Sequence, residues 1–231
     1  MTNFTEQYTK VSGETRKRTR LQSIKMKFFA GIKRLFDVSV ALIGIILLLP
    51  LFIIISLAIK LDSKGPVFFK QKRTGKFGKP FTLYKFRSMV VDNDVHDLSK
   101  KDQHTRVGKF LRKTSLDELP QLFCILQTKM SFIGPRPWIE DYYENMTETQ
   151  RHRCDVRPGI TGLAQVKGRN DISIFEKISY DLEYIENYSL KQDLKIIFLT
   201  IVTVFTKKGV DAGKCTINNE LNDLKNASIK A

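Results

Sequence analysis

Residues 33–60 read KRLFDVSVALIGIILLLPLFIIISLAIK, and the part between Val38 and Ile59 contains no charged side chain. A run of about 20 apolar residues is long enough for a helix to cross the hydrocarbon core of a bilayer. The run starts too far from Met1 for a secretory signal peptide, and no small-residue cleavage site follows it. A core helix of a soluble protein is rarely apolar on all sides over such a length. The sequence therefore predicts a membrane segment.

Pro50, near the middle of this segment, indicates that the chain turns back inside the membrane. A proline removes one helical hydrogen bond, and its ring clashes with the preceding turn. Because basic flanks stay on the cytoplasmic side, a straight span would leave one flank on the wrong face, whereas a re-entrant helix that breaks at Pro50 keeps both flanks there. An ordinary kinked span is the alternative. The basic flanks are Lys25, Lys27, Lys33 and Arg34 before the segment, and Lys60, Lys64, Lys70, Lys72 and Arg73 after it.

The chain as a whole is strongly basic. Its 231 residues carry 39 Lys and Arg against 24 Asp and Glu, a formal net charge of +15. Such a charge implies anionic partners, for example phosphorylated substrates or anionic lipid head groups. The three cysteines form no Cys-x-x-Cys pair and the three histidines show no ligand spacing, so we predict no zinc site. Nothing in the cysteine pattern requires an oxidising compartment, and we predict a cytosolic body.

Patterns after the membrane segment predict a small hairpin and amphipathic helices. Two β-rich runs, 63–73 and 81–89, flank the Gly- and Pro-containing turn TGKFGKP. The run at 172–190 has the spacing of an amphipathic helix. The apolar run at 193–205 is too short to cross a bilayer and is either core or an interfacial helix. No P-loop pattern is present around Gly75.

Two adjacent carboxylates, Asp117 and Glu118, lie in the stretch TSLDELP at 114–120. Ser115 and Glu118 have the spacing of a capping box, although Pro120 would then lie inside the helix. A helix that starts near Asp117 would place Pro120 in its first turn. In both cases the carboxylates lie at a helix N-terminus, where an ionised carboxylate can bind a divalent metal or attack phosphorus. Capping and catalysis both remain open, and they are not exclusive.

Several cationic side chains stand beside rigid backbone and suggest recognition of a diphosphate. An arginine between two prolines loses less entropy when its planar fork binds phosphate oxygens two at a time. The candidate substrate-binding residues are Lys85 and Arg87 on one face of a predicted strand, Arg112 five residues before Asp117, the motif Pro135-Arg136-Pro137, Arg157 in RPG, and Arg169 in GRN.

Six stretches, in this order, resemble the bacterial sugar transferases, that is, the monotopic phosphoglycosyl transferases. They are KRLFDVSVALIGIILLLP, YKFRSM, TRVGKFLRKTSLDELPQL, MSFIGPRP, RPGITGLAQVKGRN and SLKQDLKII. The similarity runs from about Lys33 to about Gly209, and the short chain resembles the small, PglC-like members, such as the undecaprenyl-phosphate bacillosamine or galactosamine phosphotransferases. The resemblance implies an enzyme that transfers a sugar-1-phosphate from a UDP-sugar to polyprenyl (undecaprenyl) phosphate and releases UMP, the initiating step of bacterial glycan assembly.

The resemblance also implies roles for individual residues. Asp117 matches the nucleophile that forms an aspartyl-phosphosugar intermediate with Mg²⁺, and Glu118 matches its partner. Lys85, Arg112 and Arg169 match basic residues near this pair or at the substrate phosphate, and Pro135-Arg136-Pro137 matches a motif at the nucleotide site. The family's membrane helix is re-entrant, which implies a location on the bacterial inner (cytoplasmic) membrane with the catalytic domain on the cytoplasmic face.

The sequence departs from the family pattern at two places. Leu49 stands where a serine commonly precedes the helix-breaking proline, and Cys124, Thr128 and Lys129 replace an Asn, a Gly and an Asp after the carboxylate pair. The latter changes alter the local turn and add a positive charge near the site.

An alternative function is a non-catalytic, membrane-tethered binder of anionic lipid or polymer, which would not require Asp117 and Glu118; nucleic acid is not an expected partner. The sequence leaves open the sugar, the glycan pathway and whether the chain forms a homodimer.

The predicted fold class is α+β and mainly helical: a monotopic membrane protein with a re-entrant helical hairpin, interfacial amphipathic helices and a small β-hairpin. The predicted regions are a basic, flexible arm at 1–27, the membrane-associated re-entrant helix at 28–60, a cytosolic catalytic domain at 61–210 and a polar C-terminal tail at 211–231.

Overall fold

The apolar segment forms part of one long helix, α1 (Arg20–Asp62), in a computed structural model that describes residues 20–91, 103–168, 171–206 and 217–229. The most apolar 18-residue window of Phe28–Asp62 has a mean hydropathy of 3.1 and is only 17 % buried. Such a helix is long and apolar enough to cross a membrane, and it is consistent with membrane association. It begins inside the predicted arm 1–27, of which residues 1–19 lie outside the described residues.

Pro50 lies inside α1 and does not end it. The proline still removes one backbone hydrogen bond, but helical structure continues on both sides of it. The helix is therefore continuous at the position where the sequence predicts a break. One stripe of α1 packs inward on both sides of Pro50 and the opposite side is exposed and apolar. The packed residues recur every three or four positions, as one face of a helix requires: Ala41, Ile45, Leu48, Phe52, Ile55 and Ile59.

Strands β1 (Phe68–Thr74) and β2 (Pro80–Phe86) form the antiparallel hairpin that the sequence predicts. Phe81 and Leu83 of β2 point into a core that also contains Ala41 of α1 and Ile125. The hairpin therefore lies directly against the apolar helix, and the side chain of Lys85, two residues beyond Leu83, is carried on the same face of β2.

The remaining elements are mostly helical, which confirms a mainly helical fold with a small antiparallel strand pair. Strand β3 (Ser131–Ile133) pairs in parallel with β4 (Gly159–Thr161). The helices are α2 (Arg106–Thr114), α3 (Gln121–Leu126), α4 (Glu140–Glu144), α5 (Glu148–Arg151), α6 (Leu163–Lys167), α7 (Ile174–Glu186), α8 (Leu190–Thr206) and α9 (Ile217–Ile229), with 3₁₀ turns at Lys76–Gly78, Leu116–Glu118 and His152–Cys154.

Helix α7 is the predicted amphipathic helix and begins with a capping box between Ser173 and Glu176. Helix α8 contains the second apolar run. Its Ile196 is buried, but Leu194, Phe198 and Ile201 are exposed. Most of the apolar surface of α8 is therefore not part of the core.

Helix α9 occupies most of the region predicted as a polar tail. Leu224 is buried beside Tyr142 and Ile178. Glu220 accepts hydrogen bonds from the Tyr142 hydroxyl at 2.8 Å and from the Lys177 ammonium at 2.6 Å. The described part of the tail is thus a helix packed on the body, because its few apolar residues share one face with Glu220.

A buried polar network attaches the first half of α1 to the body. Lys33 Nζ donates to Asp193 Oδ2 at 2.6 Å, and the Tyr184 hydroxyl donates to Asp193 Oδ1 at 2.8 Å. Asp37 accepts a hydrogen bond from the Phe132 amide at 3.2 Å. At the other end of the helix, Asp62 accepts one from the Val107 amide at 2.9 Å. The same body therefore binds α1 on both sides of Pro50.

Replacing Lys33 with methionine should lower the free energy of unfolding by about 3–5 kcal/mol, because Asp193 would stay buried without its cation. Denaturant unfolding in detergent micelles measures this change. Lys60→Met removes an exposed cation from the same helix and should change stability by no more than about 0.5 kcal/mol. Adding Asp193→Leu to Lys33→Met should recover most of the loss; a double variant as unstable as the single one would contradict the ion-pair explanation.

Candidate active site

The backbone around Asp117 and Glu118 differs from both helix starts considered from the sequence. Helix α2 ends at Thr114, and Ser115 takes the left-handed conformation with φ 56° and ψ 17°. The two carboxylates then lie in a 3₁₀ turn, and Pro120 is the N-cap of α3. The Ser115 side chain makes no capping hydrogen bond, so the predicted capping box is wrong. A proline has no amide hydrogen to satisfy, which suits the position where α3 begins.

Four charged side chains meet at this turn. Lys85 Nζ lies 2.6 Å from Glu118 Oε1 and 3.7 Å from Asp117 Oδ2. Arg136 Nη2 donates to the same Glu118 Oε1 at 2.9 Å. The Asp117 and Glu118 side chains are only 12 % and 18 % exposed, whereas the Arg136 side chain is 44 % exposed. The site therefore has a buried anionic floor and a cation that reaches toward solvent.

The two carboxylates differ in acidity because their neighbours differ. Burial raises the pKa of Asp117, and Glu118 raises it further, while Lys85, Arg112 and Arg136 act against this rise. Burial also acts to raise the pKa of Glu118, but Arg136 and Lys85 outweigh it and lower that pKa to about 2. Glu118 is thus ionised at neutral pH and holds two cations, and Asp117 is the carboxylate with the less stabilised charge. Paired groups with separated pKa values commonly have separate chemical tasks.

The structure brings Lys85, Arg112 and Arg136 to the carboxylate pair. Arg112 is exposed in the last turn of α2, and its charge lowers the pKa of Asp117. Pro135 and Pro137 are buried on either side of the exposed Arg136, which agrees with the rigid support that the sequence suggests.

Two other predicted residues have different partners. Arg87 is 5 % exposed, and its guanidinium donates to the carbonyls of Ser63 and Lys64 at 2.8 Å, immediately after α1 ends. Arg157 Nε donates to the Thr128 carbonyl at 2.9 Å. Arg169 lies outside the described residues.

Arg73 is a cation near the site that the sequence did not single out as a ligand. Its Nη1 donates to the Pro137 carbonyl at 3.4 Å, and its Nη2 donates to Gln71 at 2.6 Å. Burial and the neighbouring Arg136 lower the pKa of Arg73 to about 10. A shallow pocket lies next to Arg73 in the chain and is lined by Thr74, Pro135, Arg136, Arg153 and Pro158. Alternation along β1 places Arg73 on the same face as Gln71, but no local pattern signals its approach to Arg136.

Within the described ranges, no group of three or more His, Cys, Asp or Glu side chains could hold a metal ion. The donor set at the site is the pair Asp117 and Glu118. Mg²⁺ commonly binds proteins through one or two carboxylates and completes its shell with waters and substrate phosphates. Asp117, whose charge is less stabilised than that of Glu118, is compatible with a metal that is shared with substrate phosphates.

The fold and the site define a mainly helical protein with one long apolar helix and a buried carboxylate pair surrounded by cations. A family model described as bacterial sugar transferase matches residues 28–207. The chain belongs to the bacterial sugar transferase family, which confirms the family that the six motifs indicated.

Three relatives align with this chain over most of its length. It is 46 % identical over 200 residues to a UDP-glucose:undecaprenyl-phosphate glucose-1-phosphate transferase of Klebsiella pneumoniae, covering 81 % of this chain and 42 % of the relative. It is 42 % identical over 181 residues to the uncharacterized sugar transferase EpsL of Bacillus subtilis, covering 78 % and 90 %. It is 38 % identical over 196 residues to the exopolysaccharide production protein ExoY of Rhizobium meliloti, covering 77 % and 87 %. The chain thus spans less than half of the Klebsiella protein and most of the other two.

Proposed function

We propose that this protein transfers a sugar-1-phosphate from a UDP-sugar to undecaprenyl phosphate, with release of UMP. The observation that carries this proposal is the buried Asp117 carboxylate beside Lys85, with Glu118 held by Lys85 and Arg136. A nucleophile next to cations is what a reaction between an anionic carboxylate and a diphosphate requires. The names of several relatives, which contain a sugar donor, undecaprenyl phosphate and transfer of glucose-1-phosphate, support the same reaction.

The reaction takes place in two displacements at the phosphorus that bears the sugar. An Asp117 oxygen attacks this phosphorus, the bond to the oxygen that bridges the two phosphates breaks, and UMP leaves. The enzyme then carries an aspartyl-phosphosugar. A phosphate oxygen of undecaprenyl phosphate attacks the same phosphorus and restores the Asp117 carboxylate, which yields the undecaprenyl-diphosphate-sugar. Such a covalent intermediate lets the soluble product depart before the lipid reacts.

The surrounding cations lower the repulsion between the anionic reactants. Lys85 contacts both Asp117 and Glu118 and would bind the phosphate that Asp117 attacks. Arg136 is exposed beside the pocket and would bind the departing phosphate of UMP. Asp117, together with the donor phosphates, would hold Mg²⁺, which supplies neutralisation of phosphate charge when bound.

We infer that the protein sits on one face of the bacterial inner membrane, with its active site toward the cytoplasm. The attachment of the body to both Lys33 and Asp62 of α1 supports this arrangement, because a crossing helix would carry one of these contacts to the opposite face. The exposed apolar sides of α1 and α8 would contact lipid. The basic surface would bind anionic head groups.

Cysteines introduced by Lys25→Cys and Lys64→Cys test this topology in a chain whose own cysteines are replaced by alanine. A membrane-impermeant maleimide added to intact cells should label neither position, because both basic flanks of the apolar segment stay in the cytoplasm. Both positions should become labelled after the cells are opened. Labelling of one position in intact cells would favour a helix that crosses the membrane.

Release of UMP tests the reaction directly. Purified protein with undecaprenyl phosphate, Mg²⁺ and a panel of UDP-sugars should release UMP with at least one donor, and no UMP should form without the lipid phosphate beyond one equivalent per enzyme. That single equivalent reports the covalent step. A protein that binds anionic lipid but releases no UMP with any donor would instead fit the non-catalytic, membrane-tethered binder.

As the pH is lowered, the rate of UMP release should begin to fall at a higher pH than it would if Asp117 had the pKa of an ordinary aspartate. Asp117 must be ionised to attack, and burial raises its pKa. Glu118, whose pKa is about 2, stays ionised through this range. The acid limb of kcat/KM, which reports the free enzyme, should therefore lie above about 3.9, the usual value for Asp. Arg112→Gln should move this limb to higher pH, because the charge of Arg112 lowers the pKa of Asp117.

Arg106→Gln is the matched control for this pH profile. Arg106 is an exposed arginine at the opposite end of α2, and its removal should leave the acid limb in place. A limb that both substitutions move equally would assign the effect to net charge and not to the neighbourhood of Asp117.

A further inference from the structure

The Pro135–Trp138 segment, which carries Arg136, is held by four hydrogen bonds to its successive carbonyls. The Pro135 carbonyl accepts from the Gly159 amide at 2.9 Å, and the Trp138 carbonyl accepts from the Thr74 amide at 2.8 Å. The Arg136 carbonyl accepts from Arg153 Nη2 at 2.9 Å, and the Pro137 carbonyl accepts from Arg73 Nη1 at 3.4 Å. Two of the four donors are therefore arginine side chains and not backbone amides.

Arg153 is itself fixed by a buried ion pair and by an aromatic ring. Its Nε and Nη2 donate to Asp181 Oδ2 of α7 at 2.9 and 2.6 Å, and both residues are at most 3 % exposed. Its guanidinium carbon lies 3.6 Å from the centre of the Trp138 ring. A guanidinium stacked on an aromatic face and bound to a carboxylate has few orientations left.

We propose that Arg153 is a positioning residue for Arg136, and that the Asp181–Arg153–Trp138 assembly sets the place where the exposed Arg136 guanidinium meets a phosphate. The phosphate ligand in this inference rests on the proposed function, whereas the positioning of Arg136 by Arg153 does not. Arg153 borders the pocket beside Arg136, but its side chain is only 3 % exposed and is bound to Asp181 and to the Arg136 carbonyl, so it acts on the substrate through Arg136. A buried ion pair is weak evidence for stability by itself and is often retained for the specific arrangement it enforces.

Holding the backbone of Arg136 matters because phosphoryl transfer depends on alignment. Arg136 Nη2 lies 2.9 Å from Glu118 Oε1, and a displacement of about 1 Å at such a group can reduce a rate by roughly a hundredfold. The flanking prolines limit the backbone angles of the segment. The prolines do not determine the position of the whole segment relative to Glu118. That position is fixed by the hydrogen bonds that the segment's carbonyls accept from Arg153, Arg73, Thr74 and Gly159.

Arg153→Lys is the variant that tests the proposal, because lysine keeps the charge beside Asp181 but loses the fork that reaches the Arg136 carbonyl. The KM for the UDP-sugar that supports UMP release should rise about tenfold, the effect of one lost charge-assisted hydrogen bond. Asp181→Asn should act in the same direction. In an Arg136→Ala background, Arg153→Lys should change the KM less than about twofold, since the residue through which it acts is gone. An equal factor in both backgrounds would overturn the positioning role.

Amide hydrogen exchange gives a readout that does not depend on activity. In Arg153→Lys and Asp181→Asn, peptides that contain Thr74 and Gly159 should exchange at least about tenfold faster, because their amides bind the loosened segment. Asp193→Asn is the matched control: it disrupts a different buried ion pair, with Lys33 at 2.6 Å, and should not accelerate exchange at Thr74 and Gly159 relative to other amides of the body. Unchanged exchange at Thr74 and Gly159 in both Arg153→Lys and Asp181→Asn would overturn the proposal.

The two measurements separate this inference from the proposed function. If the wild-type protein releases no UMP, the reaction is wrong, and the exchange experiment still decides whether Arg153 holds the segment. If the wild-type protein is active but the effect of Arg153→Lys persists without Arg136, the reaction stands and the positioning role fails.

Discussion

Replacing Asp117 with asparagine is expected to abolish UMP release, with a loss of at least about 10³-fold in kcat, because asparagine cannot attack the phosphorus of the donor. The covalent aspartyl-phosphosugar should also disappear, which mass spectrometry of the intact protein can measure after incubation with the UDP-sugar that supports UMP release in the wild-type protein. Asp141→Asn, the same chemical change at an exposed position on α4, is the control and should keep wild-type activity.

The same variant should not be less stable than the wild-type protein. Because burial raises the pKa of Asp117, folding favours the protonated form of this side chain. The stabilisation from the protonated form is present at low pH and is lost as the pH rises through the raised pKa. At neutral pH the neutral asparagine removes the cost of burying the charge, so the midpoint of thermal unfolding should stay the same or rise. An inactive but markedly unstable variant would point to misfolding; an active variant would refute the nucleophile assignment.

Replacing Glu118 with glutamine is expected to reduce UMP release by about 10²-fold. Glu118 is the shared anion of Lys85 and Arg136, at 2.6 and 2.9 Å, and glutamine has a similar shape but no charge. Lys85 would be free to pair more closely with Asp117, which weakens the nucleophile by stabilising its charge. The acid limb of kcat/KM should move to lower pH, since Glu118 raises the pKa of Asp117. Initial rates across pH measure both effects.

Glu118→Gln should also change how stability depends on pH. The pKa of Glu118 is lowered from 4.5 to about 2 in the folded chain, so its ionised form stabilises the fold above about pH 4.5, and this stabilisation is lost as the pH falls toward 2. The wild-type protein should therefore approach the stability of the variant on acidification. Glu148→Gln, at an exposed start of α5, provides the comparison; an equal pH response in both variants would contradict the special role of Glu118.

The carboxylate pair illustrates how far the sequence could specify the site. Adjacent acids in a basic chain marked Asp117 and Glu118 as candidates, and the flanking prolines marked Arg136. The backbone that presents the acids was not predicted, because Ser115 enters the left-handed region at φ 56°, a conformation that few non-glycine residues adopt and that no pattern in TSLDELP indicates.

Arginines show the same limit from the other side. The sequence made both Arg87 and Arg136 candidates for binding phosphate. In the structure, Arg87 donates to the backbone at the end of α1, and Arg136 donates to Glu118. Arg153 lies in the basic stretch RHRCDVRPG, in which the following proline marked Arg157 as a candidate, and nothing distinguishes Arg153 from Arg151. Only Arg153 contacts Asp181, because the position of α7 in the fold decides which of the three reaches it.

The sequence by itself determined the features that depend on neighbouring residues. The length of the apolar run at 38–59 predicted an apolar helix that associates with a membrane, alternation and turn residues predicted the hairpin, and the adjacency of Asp117 and Glu118 predicted the candidate carboxylate pair. These patterns are local, since helix length, strand alternation and adjacency each involve residues within one element.

The tertiary structure decided which charges meet. Lys33 pairs with Asp193 at a separation of 160 positions, and Lys85 meets Glu118 at a separation of 33. A long-range ion pair forms where packing of apolar faces brings two side chains together, and no sequence period records that distance. The stripe on α1 that packs on both sides of Pro50 is the clearest case: the proline predicted a turn in the membrane, whereas the contacts with the body determine how the helix lies.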